Sequence, residues 1–255
     1  NAIQYPVKRR RNQRIIENVT PGGGLYQGLD SGRSWWQWEL AYQNIGSQQR
    51  QALDGLFDEC KGRLLPFLFL DPFENLVSYS EDFSQPAWER EANIVVVGSQ
   101  LDPFGTNRAF RLSNASGAAG SVFQQLYIPT WVPYTVSCWL RANGAAAVEV
   151  LAHPSGSTTG QSVALGPSWE RYAISVSHSG NEEELLAGLR LLGNTEIYAF
   201  GFQLEQFSSL SEYKRTNEES GVHANSRFGQ DEIRWVTNGI DHHSARIAIE
   251  SPILS

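Results

Sequence analysis

Six short stretches rich in apolar residues recur at nearly even spacing between residues 121 and 205, and this spacing constrains the fold most. In order they read SVFQQLYIP, YTVSCWLRA, AAVEVLAHP, WERYAISVS, LAGLRLLGN and IYAFGFQLE. Each has the length of a strand, and Gly, Pro, Ser or Asn separates it from the next. The pattern is typical of an antiparallel β-sandwich or jelly roll.

A different pattern precedes this region. The segment SWWQWELAYQ (Ser34–Gln43) alternates, so that Trp36, Trp38, Leu40 and Tyr42 share one face. A period of two residues predicts a strand that is buried on one side.

A helix is predicted from Ser47 to Arg63, because apolar residues recur there at the spacing of one helical stripe. Ser47 can serve as its N-cap, and Gly62 suits a left-handed end. The next stretch, LLPFLFLDP (Leu64–Pro72), is apolar on both faces, as a covered strand would be. Pro66 lacks an N–H donor, which favours a place at the edge of a sheet.

The closing segment, Asp231–Ser251, carries two alternating stretches around Asn238-Gly239, a strong hairpin signal. A hairpin alone is marginal in water, so it needs a sheet to join. We therefore expect residues 1–75 and 218–255 to form one discontinuous β-sandwich domain with one helix. Residues 76–217 would interrupt it as an inserted antiparallel jelly roll. The hairpin should then pair with the sheet that contains Trp36–Tyr42.

Composition argues against several classes of protein. The net charge of −7 argues against nucleic acid as a partner. No apolar stretch approaches the ~20 residues of a membrane-spanning helix, and residues 1–14 lack the apolar centre of a signal peptide. Cys60 and Cys138 are too few for a disulfide framework, so we interpret both as buried thiols formed in a reducing compartment.

Signatures of catalysis and of metal binding are few. The chain contains neither a Gly-x-Ser-x-Gly elbow nor a His-Glu-x-x-His motif. Adjacent His242 and His243 would point to opposite faces of a strand, so we do not expect them to share a metal. A structural calcium ion stays open, although no calcium-loop motif indicates one. We predict no catalytic residue, no metal site and no cofactor.

The segment from Ser31 to Pro72 resembles the N-terminal half of distal tail and related minor tail proteins of long-tailed bacteriophages. The shared pattern is an aromatic strand, a helix with an apolar stripe, Gly62-Arg63, and an aromatic strand that ends in Asp-Pro. The resemblance implies a protein of the virion tail, made in the cytoplasm of the bacterial host. It also implies a homo-oligomeric ring, with six subunits as the expected number, that contacts other tail proteins.

Five cations crowd the segment VKRRRNQR near the start of the chain. No aromatic residues interleave with them, which favours a solvated arm or a contact with an acidic protein over nucleic acid. In a ring, this arm would lie at a contact between subunits or with a neighbouring protein. The cations are Lys8, Arg9, Arg10, Arg11 and Arg14.

Residues 75–216 resemble the carbohydrate-binding-like jelly rolls carried by phage proteins. These open with Asn-Leu and Tyr-Ser-Glu-x-Phe and close with Gln-Leu-Glu and a Thr; the matching residues here are Asn75-Leu76, Tyr79–Phe83, Gln203–Glu205 and Thr216. The resemblance implies contact with a host-surface saccharide during adsorption, without fixing the ligand.

Sugar binding needs flat aromatic rings beside amide or guanidinium donors. Trp131, in the Pro-flanked loop IPTWVPY, is the first candidate for such a ring. Trp139, Arg141 and Gln125 are further candidates, whereas Trp88 and Trp169 are expected to be structural.

The sequence thus predicts a structural component of a phage tail, either a distal-tail-like ring or a tail-tip protein, whose inserted module contacts a saccharide. Two alternatives stay open. One is a glycan-degrading enzyme of the tail tip, because sequence does not show the ~5–10 Å separation of a catalytic carboxylate pair. The other is a purely architectural protein without a ligand.

Overall fold

The computed structural model describes residues 4–157 and 160–253. Within them the chain is mainly β, with a single α-helix. The elements in chain order are β1 (Val7–Val19), β2 (Leu25–Ile45), α1 (Ser47–Glu59), β3 (Phe67–Leu70), β4 (Glu89–Arg90), β5 (Ile94–Gln100), β6 (Ala109–Asn114), β7 (Gly120–Leu126), β8 (Tyr134–Arg141), β9 (Ala146–Pro154), β10 (Gln161–Leu165), β11 (Glu170–Val176), β12 (Leu185–Leu191), β13 (Thr195–Glu205), β14 (Val222–Phe228), β15 (Val236–Gly239) and β16 (His242–Pro252).

The chain divides into two compact units. Unit 1 consists of the described residues up to Phe69 and from His223 onward, and unit 2 of Leu70–Val222. Unit 2 therefore begins six residues before, and ends five residues after, the inserted range that the sequence indicates. Its two ends lie side by side, because the N–H of Asp71 donates to the carbonyl of Gly221 at 2.8 Å.

Unit 1 is built on one sheet with the strand order β1-β2-β16-β14-β3, and β15 pairs with β16. The predicted pairing of the closing hairpin is confirmed, since Ile247 lies opposite Leu40 and Ile249 opposite Trp38. The hairpin turn, however, lies at Ile240–Asp241 and not at Asn238-Gly239. Asp241 takes the left-handed conformation with a φ of 58°, a role that Asp tolerates in turns.

The predicted alternation of β2 is confirmed, and α1 packs on its apolar face. Trp38 is fully buried, and the helix contributes its predicted stripe of Leu53, Leu56, Phe57 and Cys60 to the same cluster. The helix ends at Glu59, four residues before the predicted end, and Gly62 has the expected left-handed φ of 63°.

The predicted N-cap of the helix is wrong. Gly46 is the N-cap residue, and Ser47 is the first helical residue. A carboxylate oxygen of Asp241, in the hairpin turn, accepts the exposed N–H of Ser47 instead. This tertiary contact replaces a local one, which the sequence around the helix does not reveal.

The segment with five cations is not a free arm but the strand β1, paired antiparallel with β2. Arg9 and Arg11 share the face of Trp36, and the guanidinium of Arg9 lies 3.8 Å from its ring centre. The opposite face places Lys8 3.5 Å and Arg10 3.8 Å from carboxylate oxygens of Glu39. Alternation thus gives each cation an aromatic or acidic neighbour, which a count of charges does not show.

Unit 2 is a sandwich of two antiparallel five-stranded sheets, as the sequence predicts. We call β10-β9-β12-β7-β4 the first sheet and β11-β8-β13-β6-β5 the second. All six predicted strands are present, as β7, β8, β9, β11, β12 and β13. One apolar core between the sheets draws on both, with Leu189 from the first and Leu140 from the second fully buried.

Candidate functional site

The outer face of the second sheet of unit 2 carries aromatic and cationic side chains in place of the usual small polar ones. In β8, Val136, Cys138 and Leu140 enter the core, so Trp139 and Arg141 point outward. The alternation of β13 does the same for Tyr198, because Ile197 and Ala199 are core residues. Strand periodicity therefore places these rings and guanidinium groups on one surface.

Two rows of side chains cross this surface. In the first, Arg171, Trp139 and Phe200 stand opposite one another on β11, β8 and β13. In the second, Arg141, Tyr198 and Arg111 stand opposite one another on β8, β13 and β6. Directly opposite residues on one face of a sheet lie close enough for their side chains to touch. We use the name arginine–aromatic face for Trp139, Arg141, Trp169, Arg171, Tyr198 and Phe200.

Arg141 lies between two rings of this face. Its guanidinium carbon is 3.9 Å from the ring centre of Tyr198 and 5.3 Å from that of Trp169, both within the range of a cation–π interaction. Arg141 also donates to Oδ1 of Asn143 at 3.1 Å, and the amide of Asn143 donates to the hydroxyl of Tyr198 at 3.3 Å. The side chains are thus held in place before any ligand arrives.

Trp139 is more tightly enclosed than Tyr198. The guanidinium of Arg171 lies 4.6 Å from its ring centre, and Tyr213 meets its edge at 5.2 Å. Gly201 lies against the ring in the left-handed conformation, where an added Cβ would come within 3.0 Å of the indole. Because β13 is also bulged here, between Phe200 and Gln203, the strand bends around the indole. Phe104, which is 61% exposed, stands edge-on to Trp139 at 5.7 Å.

Arg171 serves mainly to anchor this end of the face. It donates to the carbonyl of Ser211 at 2.9 Å and to Oγ of Ser137 at 3.0 Å. Burial lowers the pKa of Arg171, and the nearby carboxylate of Glu205 acts in the opposite direction. The segment around Ser211 therefore covers part of the sheet, and the row with Tyr198 stays more open.

The four candidates for sugar contact do not form one site. Trp139 and Arg141 share the arginine–aromatic face, as the i, i+2 spacing on a strand requires. Gln125 lies on β7 in the first sheet, where Val122 and Gln124 are buried and Gln125 points outward. Trp131, 48% exposed, lies in the loop after β7. The outer faces of the two sheets of a sandwich point in opposite directions, so Gln125 cannot join Trp139.

Gln125 and Trp131 both lie outside the arginine–aromatic face. The amide of Gln125 donates to the hydroxyl of Tyr127 at 3.4 Å, and Tyr127 is 70% exposed. The loop with Trp131 is fastened by Thr130, whose hydroxyl donates to the carbonyl of Glu182 at 2.9 Å. In the part of the chain that the structure describes, no guanidinium group stacks on the ring of Tyr127 or of Trp131.

The sequence analysis does not predict two aromatic residues of the arginine–aromatic face. Trp169 was expected in the core but is half-buried and contacts Arg141 outside the core cluster. Tyr198 could have been found, because IYAFGFQ alternates and sets Tyr198 opposite to Ile197 and Ala199. Trp88 is structural, as predicted, since it is 4% exposed and donates to the carbonyl of Tyr79 at 3.0 Å.

The histidine pair lies in unit 1 and takes part in structural contacts. His243 is buried, with its ring nitrogens 3.1 Å from Oγ of Ser47 and 3.1 Å from Oγ1 of Thr237. Its neighbour His242 is exposed, as opposite faces of a strand require. Across residues 4–157 and 160–253, no three His, Cys, Asp or Glu side chains gather as metal ligands would. No helix in the same ranges has the length and apolar character to cross a membrane.

No protein-family model matches the sequence, and neither does any curated protein. Among solved structures, the chain is similar to the enzymatically active domain of tailspike protein 4 of bacteriophage CBA120. The identity is 14% and the TM-score 0.41, over 54% of this chain and 22% of the tailspike domain.

Two carbohydrate-binding modules are also similar over about half of the chain. The CBM22-1 xylan-binding domain of Paenibacillus barcinonensis Xyn10C has 10% identity and a TM-score of 0.43, over 57% of this chain and 98% of that domain. A CBM4 structure has 15% identity and a TM-score of 0.38, over 51% of this chain and 99% of that one. Likenesses this distant do not identify a function.

Proposed function

We propose that unit 2 binds a saccharide through the arginine–aromatic face. The observation that carries the proposal is the row of Arg141 and Tyr198 beside Trp169, where a guanidinium group is already ordered between two rings. Rings offer a flat apolar surface to the C–H faces of a sugar, and guanidinium and amide groups donate to its oxygens. Both kinds of group meet on this face.

Affinity for a single module is expected to be low. One open surface with one or two rings gives a Kd of ~0.1–1 mM, or about 4–5.5 kcal/mol. Several copies on one particle that meet a dense glycan surface raise the apparent affinity ~100-fold or more. Weak single sites therefore suit a protein that acts as part of an assembly.

Alanine variants on and off the arginine–aromatic face test the proposal. On an array of bacterial surface glycans, Tyr198→Ala and Trp169→Ala should each lower binding about 10-fold, since each removes a stacking ring. Trp131→Ala, in the loop after β7, is the matched control and should bind as the parent protein does. Loss of binding in Trp131→Ala alone would move the site to that loop, and no binding to any glycan would refute the proposal.

The same array tests the enzymatic alternative. Release of reducing ends from a bound glycan would make the protein a glycan-degrading enzyme. We expect none, because three of the four buried carboxylates described in unit 2 form ion pairs. Glu81 and Asp102 lie 3.0 and 3.4 Å from Arg108, and Glu205 lies 3.2 Å from Lys214.

For the whole chain, we propose a structural component of a phage tail that assembles as a homo-oligomeric ring and displays unit 2 toward the host surface. Support comes from the resemblance of residues 31–72 to distal tail proteins. Further support comes from the end of the hairpin β1–β2, where Ile15, Val19, Leu25 and Tyr26 are 60–72% exposed. Apolar side chains that a single chain leaves in water suit burial in an assembly. Electron microscopy of the purified protein tests this, and a monomer at all concentrations would refute it.

A further inference from the structure

We infer that the saccharide recognised by unit 2 is acidic and that Arg141 binds its anionic group. This inference rests on the proposed function and adds the chemical class of the ligand. Its starting point is the charge of unit 2, which has 8 basic and 17 acidic residues and hence a net charge of −9. In such a unit a cation on a half-buried surface is expected to have a carboxylate partner.

Most cations of unit 2 follow that expectation. Five of the eight have a carboxylate oxygen within 4.0 Å, and they are Arg108, Arg111, Arg190, Lys214 and Arg215. Arg141 has no such carboxylate among the described residues, although 17 are present in its unit. It contacts the two rings and the amide oxygen of Asn143, all of them neutral.

The geometry suits an anion that approaches from solvent. Stacking on Tyr198 and near Trp169 fixes the plane of the guanidinium group, and Asn143 takes one of its five N–H donors. The remaining donors form the planar fork that matches a carboxylate, sulfate or phosphate group. An ordered fork loses less entropy on binding than a mobile lysine would.

The local charge also differs from that of the unit. The outward side chains of the two rows include Arg111, Arg141 and Arg171. Glu196 lies 2.8 Å from Arg111, and the carboxylate of Glu205 lies near Arg171. Acidic residues elsewhere on unit 2 are screened beyond about 8 Å at physiological salt. An anionic ligand would therefore meet Arg141 as the arginine of these rows that has no acidic neighbour among the described residues, with rings beside it for the sugar.

The decisive experiment compares acidic and neutral forms of the same sugars with the full chain. The probes are oligogalacturonate and its methyl ester, together with an array of bacterial glycans with and without carboxylate, sulfate or phosphate groups. We expect the strongest ligands to carry an anion, and loss of that anion to weaken binding about 10-fold to 100-fold. Binding should also fall between about 0.1 and 1 M salt, where the Debye length shrinks from ~10 to ~3 Å.

Arginine variants assign the effect to one residue. Arg141→Gln should lower binding of acidic glycans about 10-fold to 100-fold and leave neutral ones within about 3-fold. Arg190→Gln is the matched control, since Arg190 lies on the first sheet of unit 2, away from the arginine–aromatic face, and Glu149 already engages it at 3.2 Å. It should bind within about 3-fold of the parent protein. Arg141→Lys keeps the charge without the planar fork, so its affinity for acidic glycans should lie between those of Arg141→Gln and the parent protein. It also provides the test if Arg141→Gln does not fold.

Two results would overturn the inference. Equal binding of acidic and neutral glycans would do so, as would parent-like binding of acidic glycans by Arg141→Gln. If Tyr198→Ala abolished binding in either case, the saccharide site would stand without its charge recognition. If no glycan bound the parent protein, the proposed function and the inference would fail together.

Discussion

The two units differ in the size of the apolar core that each one buries. Unit 2 closes on itself, because its two sheets enclose one core that contains 28 of the described residues, each at most 9% exposed. Unit 1 packs one helix against one face of a single sheet, and its buried cluster has 8 described members. Apolar burial is the main favourable term in folding, so we expect unit 1 to have much the smaller reserve of stability.

The difference also separates the proposed roles. Unit 2 begins and ends at one hydrogen-bonded point, Asp71 to Gly221, and needs nothing outside itself to complete its sheets. Unit 1 keeps β1 as an edge strand with exposed apolar residues at its end. This contrast suggests that unit 2 is a recognition module that folds alone and that unit 1 is a scaffold that is stabilised by assembly.

The largest expected effect is that of Trp38→Ala in unit 1. Trp38 is fully buried, and removal of a buried Trp costs about 3–5 kcal/mol. In a unit of roughly 100 residues this should lower the melting temperature by roughly 15–30 °C. Phe202→Ala, at an equally buried position of unit 2, costs a similar free energy but should shift its transition less, since a larger unit has a larger unfolding entropy.

Calorimetry measures both effects at once. Each variant should move one transition and leave the other in place. If Trp38→Ala moved both transitions together, the two units would unfold as one cooperative body and would not differ in stability.

Most of the fold that could be predicted from the sequence was predicted from the periodicity of its apolar residues. Alternation located β2 and the six strands of unit 2 because one face of each is buried, and burial is what alternation records. It missed β1, where both faces are charged, and β10, whose exposed positions break the pattern. The strands β5, β6 and β14 were not predicted either, although β5 alternates in burial. Contacts between distant segments, such as Asp241 with the start of α1, leave no local trace.

The candidate site was predictable only in part, for a related reason. Alternation on β8 places Trp139 and Arg141 on one outward face, and these two were found. Tyr198 and Trp169 join them through strand order, because β13 and β11 flank β8 in the sheet. Strand order depends on the whole topology, which spacing along the chain does not give.

The second prediction concerns His223 in unit 1. Lowering the pH should destabilise unit 1 before it destabilises unit 2. Burial, followed by the charge of Arg9, lowers the pKa of His223 from 6.5 to about 4. The ring stands edge-on to Trp38 at 4.8 Å, with Nε2 buried and without a hydrogen-bond partner among the described residues. The unfolded chain therefore binds this proton more readily, and unit 1 should lose up to about 3 kcal/mol as the pH falls from about 6.5 to about 4.

Unit 2 should keep its stability over that range. Burial alone would raise the pKa of Asp102 and of Glu205, but hydrogen bonds from Thr106 and Ser211 among others lower both below their ordinary values of 3.8 and 4.5. Their contribution is present above those values and is lost only as the pH falls through the lowered ones. Melting curves from pH 7 to 4 should thus show unit 1 weakening first, and His223→Gln should remove that slope. An unchanged slope would assign it to another group.

The third prediction concerns Asn75, which fastens the opening of unit 2. Its buried side chain donates to the carbonyl of Phe202 at 2.8 Å and accepts from the N–H of Leu204 at 3.0 Å. Asn75→Ala leaves these groups unpaired in the core, so we expect a loss of about 1–3 kcal/mol from unit 2 alone. Denaturant titration measures it. A loss within about 0.5 kcal/mol would mean that other groups or water satisfy both backbone partners.

The smallest expected effect on stability belongs to the cations of β1. Lys8, Arg10 and Arg14 are more than half exposed and lie 3.5–3.9 Å from Glu39 and Asp30. Exposed ion pairs contribute about 0–1 kcal/mol each, so replacing the three cations with Ser should leave unit 1 folded. The variant leaves Arg9 and Arg11 unchanged, because both stack near Trp36 and their loss would also change packing.

That small effect on stability is what makes the variant informative about assembly. If β1 lies at a subunit contact, the Lys8/Arg10/Arg14 variant should lose the ring in electron micrographs while its melting curve stays near that of the parent. The control replaces Arg50, Arg63 and Arg234, three other cations of unit 1 with acidic partners, and should keep the ring. Rings in both variants at ~0.15 M salt would place the contact elsewhere. Loss in both would show that net charge matters and the position of β1 does not, because equal numbers of cations have been removed.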